Sequence, residues 1–224
     1  LPHPWLALTM TPESTIGAAA DERITVSVLS QDAITHTQAY VANALAAILV
    51  VAELADAPLE GVIEPATLGR RLADAVADAP AWAEAAAAAT GEDEVFRLAF
   101  ASGAGHSTAL ETALLMKEVC GRYVEGLETR EAATSGMYAL RPGDVALAHT
   151  RAGDPLAEEA EAVLAATGAR VLRLPVPEPC TALELPVLGF PAAVALAGAL
   201  GVRDGRDVDD PDWTANYYRT ARAV

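Results

Sequence analysis

From residue 94 onward the chain alternates short apolar runs with amphipathic stretches, and this alternation constrains the fold more than any other feature. Glu94 to Ser102 (EVFRLAFAS) reads as a strand, Gly103 to Thr108 (GAGHST) as a glycine-rich turn, and Ala109 to Arg122 as a helix. Asp144 to Thr150 is a second strand, 155–167 a helix, Arg170 to Val176 a further strand, and Phe190 to Gly201 the last long helix. Strands that alternate with helices of about 10–15 residues build a parallel sheet. Right-handed crossovers then place helices on both faces. The expectation is an α/β fold: a three-layer, doubly wound parallel sheet.

The first part follows the same grammar. Trp5 to Met10 (WLALTM) reads as a buried strand between Pro4 and Pro12, and Ser14 can cap a short helix. Ile24 to Leu29 alternates and is β-branched, so it is a second strand. Thr35 or Thr37 can cap an apolar helix from Gln38 to Ala55, on which Ala44, Ala47, Ile48 and Val51 share a face. Residues 60–90 carry small residues, scattered charges and Pro80 between two helical stretches. They predict two connecting helices and a boundary near Gly91. The organisation expected is therefore residues 1–59, a connector over 60–90, and 91–224.

Charge and cysteine content exclude several classes of partner. Acidic residues outnumber basic ones by 31 to 15, for a net charge of −16. A surface that negative repels nucleic acid and anionic lipid. The uncharged stretch Leu185 to Val202 is broken by Pro186 and Pro191, which predicts a buried helix and no membrane span. Cys120 and Cys180 show neither metal-ligand spacing nor a disulfide framework, which fits a reducing cytoplasm. The start, LPHPWLALTM, has no basic segment of a signal peptide. No metal and no cofactor is expected.

Two segments can carry chemistry. In open parallel sheets ligands bind at the carboxyl ends of strands, where Gly103, Gly105, His106 and Ser107 fall. The glycines let backbone N–H groups approach a ligand, and Ser107 adds a hydroxyl at a helix N-terminus. A tight strand-to-helix connection explains the same residues without function. In the helix TALETALLMKEVCGRYVE, Glu111, Glu118 and Glu125 recur every seven residues and share a face. Either this is a solvated acidic stripe, or Glu118 lies among Leu114, Leu115 and Cys120 in an apolar cleft, where burial would raise its pKa and make it a general base.

The run SGAGHSTALETALLMKEV resembles the second sugar isomerase (SIS) domain of glucosamine-6-phosphate synthase and its relatives, which have a glycine-rich turn followed by an ALEGALKLKE-like helix. Thr35-His36-Thr37-Gln38-Ala39-Tyr40 resembles the ASTKAF segment of the first domain in those proteins. LALTMTPESTIGAAAD resembles the stretch before it, and DVDDPDW at 207–213 resembles their C-terminal tail. The matches fall in family order. The resemblance implies the second half of one SIS domain followed by a complete one, and a chain that starts midway through the first, without the Ser/Thr-rich loops that cradle the sugar phosphate.

The resemblance also implies a phosphorylated sugar as ligand, isomerase or deglycase chemistry, and pairing of two copies. Apolar helices over 38–55 and 190–201 would also leave faces for a partner to cover. By position, Glu118 matches the proton-shuttling glutamate and Glu131 the glutamate of an E-x-x-HGP segment, with Thr134 in place of its histidine. Thr35 and Thr37 join the glycine-rich turn as substrate-binding candidates. The departures matter as well. Leu115 replaces a family lysine, Gln38 the lysine of STKAF, and Arg219 and Arg222 lie where a Schiff-base lysine is expected. Lys117 is the only lysine in the chain. Threonine cannot titrate near neutrality and guanidinium cannot form an imine. Synthesis of glucosamine 6-phosphate is therefore not expected, and a non-catalytic sugar-phosphate-binding regulator or a dimerisation module is the alternative.

Overall fold

The computed structural model describes residues 4–28, 37–56, 58, 63, 65–91 and 94–201. Thr35, the acidic tail 207–213 and Arg219 and Arg222 lie outside the described residues. The chain divides into two compact units, Leu1–Gly61 and Val62–Val224.

In the first unit, strands β1 (Leu6–Thr9) and β2 (Glu22–Thr25) pair in parallel, with Leu6 opposite Glu22. Helix α1 (Thr15–Ala19) connects them, and the Ser14 hydroxyl caps it by accepting from the Gly17 N–H at 3.2 Å, as the sequence predicts. The second strand ends at Thr25, earlier than its β-branched run suggested. Helix α2 (Thr37–Leu54) is apolar on every side, yet only Ala52 within it is buried. By length and composition it is the one described helix that could cross a membrane.

The second unit is built on four parallel strands. β3 (Val95–Ala101), β4 (Glu125–Glu128), β5 (Asp144–His149) and β6 (Arg170–Arg173) stand in the order β4-β3-β5-β6. The order runs outward from β3 in both directions, the mark of a doubly wound sheet. β5 is buried at every residue, as a strand covered on both faces must be. β4 and the short helix after it were not expected. EGLE has too little apolar character to announce a strand, but as an edge strand it buries only Leu127.

Helices α3 (Pro65–Ala88), α4 (His106–Cys120), α5 (Thr129–Thr134), α6 (Pro155–Ala166), α7 (Leu185–Leu188) and α8 (Phe190–Leu200) complete the unit. α5 and α6 pack together, and Leu98, Phe100, Ala146 and Ala148 of the sheet form one apolar cluster with Ala132, Ala160 and Leu164. α8 packs against both α3 and α4. Hence the expected uncovered face on 190–201 does not exist: Phe190, Ala193, Leu196 and Ala197 are buried within the chain. The expectation of two helices over 60–90 also needs correction, since α3 runs unbroken through Pro80. Pro80 is exposed, as is Val76 one turn before it, so the carbonyl that loses its N–H partner faces water.

One close approach fixes β4 to α4. A Cβ on Gly126 would sit 2.7 Å from the Leu110 Cα and 2.8 Å from the Ala109 carbonyl oxygen. Only glycine lets strand and helix backbones meet there.

Candidate functional site at the carboxyl edge of the sheet

All four strands of the second unit are parallel, so the turns that leave them emerge at one edge. β3 ends in Ser102, followed by a single 3-10 turn over Gly103–Gly105 and then α4. Gly103 has φ +55, in the left-handed region that glycine tolerates. Gly105 is buried against α7, where a Cβ would stand 2.6 Å from the Leu185 Cδ2. His106 is the first residue of α4 and half-buried, and the Ser107 hydroxyl donates to the Ala104 carbonyl at 2.9 Å. The turn therefore folds back on itself: the Gly105 N–H donates to the Ser102 carbonyl at 3.0 Å and the His106 N–H to the Gly103 carbonyl.

The adjacent turns bring further polar groups. The hydroxyls of Ser102 and Thr129 lie 2.8 Å apart and tie the end of β3 to the start of α5 after β4. Thr129 is fully buried. The Glu128 carboxylate caps α5 by accepting from the Arg130 N–H at 2.7 Å. After β5, the Thr150 hydroxyl donates to Glu161 at 3.0 Å, and Asp154 caps α6 through the Ala157 N–H at 3.2 Å. None of Ser102, Thr129 or Thr150 stands out in the sequence, because their partners lie 27 residues away or on another element. For Ser102 and Thr150, a hydroxyl directly after an apolar run was the one available signal; Thr129, after EGLE, had none.

The expected catalytic residues fall differently. Glu118 is exposed, not enclosed in an apolar cleft. Helix geometry is the cause: the buried face of α4 runs through Ala109, Thr112, Ala113, Met116 and Cys120, and Glu118 is turned about 200° from Met116. Glu118 also lies about 18 Å along the helix from His106. α4 returns across the sheet, so its last turns lie far from the edge where the glycine turn sits. The carboxyl that burial pushes above its ordinary value is instead Glu111, which is half-buried and feels the charge of Glu118 as a second cause.

Glu131 is exposed in the first turn of α5. Thr134 is exposed too, and its hydroxyl donates to the Arg130 carbonyl at 2.7 Å. Thr37 begins α2 in the first unit. The structure thus brings Gly103, Gly105, His106 and Ser107 into one turn, with α5 leaving the neighbouring strand at the same edge.

A second histidine, overlooked in the sequence, is fully buried at the end of β5. His149 Nε2 lies 2.8 Å from the Thr112 hydroxyl of α4. Its Nδ1 has no hydrogen-bond partner among the described residues and abuts the Gly189 backbone between α7 and α8. Burial lowers its pKa to about 4, against a weaker opposing pull from the Gly189 backbone. Burial likewise pushes the Cys120 thiol up to about 11 and the Cys180 thiol up to about 12, where thiolates are scarce at neutral pH. No group of three His, Cys, Asp or Glu side chains among the described residues is arranged to hold a metal ion.

No protein-family model matches the sequence, and none of the curated proteins matches it either. Solved structures do match in fold. Glucosamine-6-phosphate deaminase from Thermotoga maritima aligns at 16% identity and a TM-score of 0.69, over 93% of this chain and 65% of its own. The C-terminal domain of glucosamine-fructose-6-phosphate aminotransferase from Francisella tularensis aligns at 17% identity and a TM-score of 0.63, over 92% and 65%. A candidate phosphosugar isomerase from Salmonella typhimurium aligns at 12% identity and a TM-score of 0.72, over 94% and 67%. The chain thus spans about two thirds of the length of each. At these identities the likeness is one of fold, and the chain is built on the sugar isomerase (SIS) α/β fold that its sequence resembles.

Proposed function

We propose that the chain binds a phosphorylated sugar, an aminosugar or keto-sugar derivative, at the carboxyl edge of the second unit's sheet. The observation that carries the reading is the Gly103–Ser107 turn, which opens a 15-residue helix beside the Ser102–Thr129 hydroxyl pair. Helix N–H groups and hydroxyls are the donors that let a chain of net charge −16 accept a phosphate. The fold neighbours named for phosphosugars support the same ligand class. The chemistry that goes with it is aldose–ketose isomerase or deglycase type, with proton transfer beside a carbonyl.

Non-catalytic binding, as a sensor or regulatory subunit, is the second reading. Two observations favour it: Glu118 is exposed and remote from the turn, and the Thr134 hydroxyl is committed to its own helix. Calorimetric titration with fructose 6-phosphate, glucosamine 6-phosphate and the unphosphorylated sugars tests the shared part. Binding of the phosphorylated forms alone is expected, weakened when Ser107 becomes alanine. Equal binding of fructose and its phosphate, or none of either, would remove the proposal. Exchange of the sugar's carbon-bound proton with solvent separates catalysis from sensing.

A further inference from the structure

The segment between β6 and α7 is held by two carboxylates in series. On α3, the Arg71 guanidinium donates through Nη1 to Glu184 at 2.9 Å and through Nη2 to the Pro179 carbonyl. Both members of the ion pair are enclosed, with the side chain of Arg71 13% and that of Glu184 1% exposed. Glu184 also accepts the Thr181 N–H at 2.9 Å and returns its own N–H to the Thr181 hydroxyl at 3.2 Å. Next to this knot, Glu178 accepts the Cys180 N–H on one oxygen and the Ala152 N–H on the other, each at 2.9 Å. Ala152 lies in the turn from β5 to α6, at the same sheet edge as Gly103–Ser107.

We infer that Arg71, Glu184 and Glu178 form a brace that sets the β5–α6 turn at the candidate binding edge, which makes Arg71 a positioning residue for that site. The brace rests on the proposed sugar-phosphate site only for its functional consequence. Its physical basis is separate. Hydrogen bonds to charged groups are the stronger kind, and a carboxylate that spans two backbone N–H groups fixes both segments at once. The buried pair anchors the chain on either side of Cys180, so the Glu178 carboxylate is presented to Ala152 from a fixed base. The hydrogen bonds of Arg71 go to Glu184 and Pro179, and it acts on the turn through this chain of bonds.

Amide hydrogen exchange on the chain, without ligand, reads the brace directly. Glu178→Ala removes the acceptor, and the Ala152 amide is expected to exchange about tenfold faster. Arg71→Ala is expected to speed the same amide as well as those of residues 180–184. Calorimetry with fructose 6-phosphate is then expected to show weaker binding in both variants. Faster exchange confined to 180–184 in Arg71→Ala, or an unchanged Ala152 amide in Glu178→Ala, would overturn the brace. Where Arg71→Ala does not fold, Glu178→Ala decides alone, because Glu178 lies on the exposed surface. Unchanged sugar-phosphate binding despite faster exchange at Ala152 would overturn the positioning role. A parent chain that binds no sugar phosphate would defeat the functional reading, and the exchange rates would still decide the brace.

Discussion

At the scale of single residues, His149 sets a pH dependence. Its folded pKa is about 4, below the ordinary value of 6.5. The folded state therefore takes up its proton later than the unfolded state does as pH falls. Stability is fully present above pH 6.5 and is lost between there and about pH 4. The whole interval is worth on the order of 3 kcal/mol. His149→Asn, which cannot charge, is expected to flatten the melting temperature across this range, even though it lowers it at pH 7. Thermal melts of both proteins from pH 4 to pH 8 check the point. Parallel curves would show that the imidazole does not govern acid stability.

At the scale of elements, α4 carries the sharpest test. If Glu118 is the proton-transfer base that the family resemblance implies, Glu118→Gln lowers solvent exchange of the sugar's carbon-bound proton by about 10²–10⁴-fold. Its exposure and its distance from the glycine turn predict little or no loss instead. The same exposure predicts that folding is unaffected, so the assay is clean. The helix itself was legible in the sequence, as were the turn before it, the Ser14 cap, and the strands β3 and β5. Their signals are local: apolar period, capping chemistry and glycine at a turn. The facing of Glu118 was not legible, because, of its apolar neighbours, Leu115 and Cys120 are buried while Leu114 is exposed like Glu118 itself. β4 was missed for a related reason. Its anchor is the backbone contact of Gly126 with Leu110, which leaves no side-chain pattern. The unbroken course of α3 depends on Pro80 facing water, which propensity alone does not foresee.

At the scale of the whole molecule, the two units differ in how much apolar surface they enclose. Within the first unit, Trp5, Leu6, Ile16, Ile24, Leu49, Val51 and Leu54 are all exposed. α8, by contrast, is covered by its own unit, so it asks nothing of a partner. Pairing of two copies belongs with the proposed function, and light scattering at micromolar concentration is expected to give about twice 23.1 kDa. A single species of 23.1 kDa would contradict it. Co-flotation with neutral lipid vesicles would point to a lipid cover for α2 instead. The second unit's sheet ends in charge on both sides. Glu125 and Glu128 lie on β4, and Arg170 and Arg173 on β6, where the arginines are bound to Glu94 at 2.6 Å and Glu161 at 2.7 Å. Opposite charges at opposite edges would favour head-to-tail stacking of molecules into an endless ribbon. Because both guanidinium groups are already committed within the chain, each junction of such a ribbon would have to break native ion pairs.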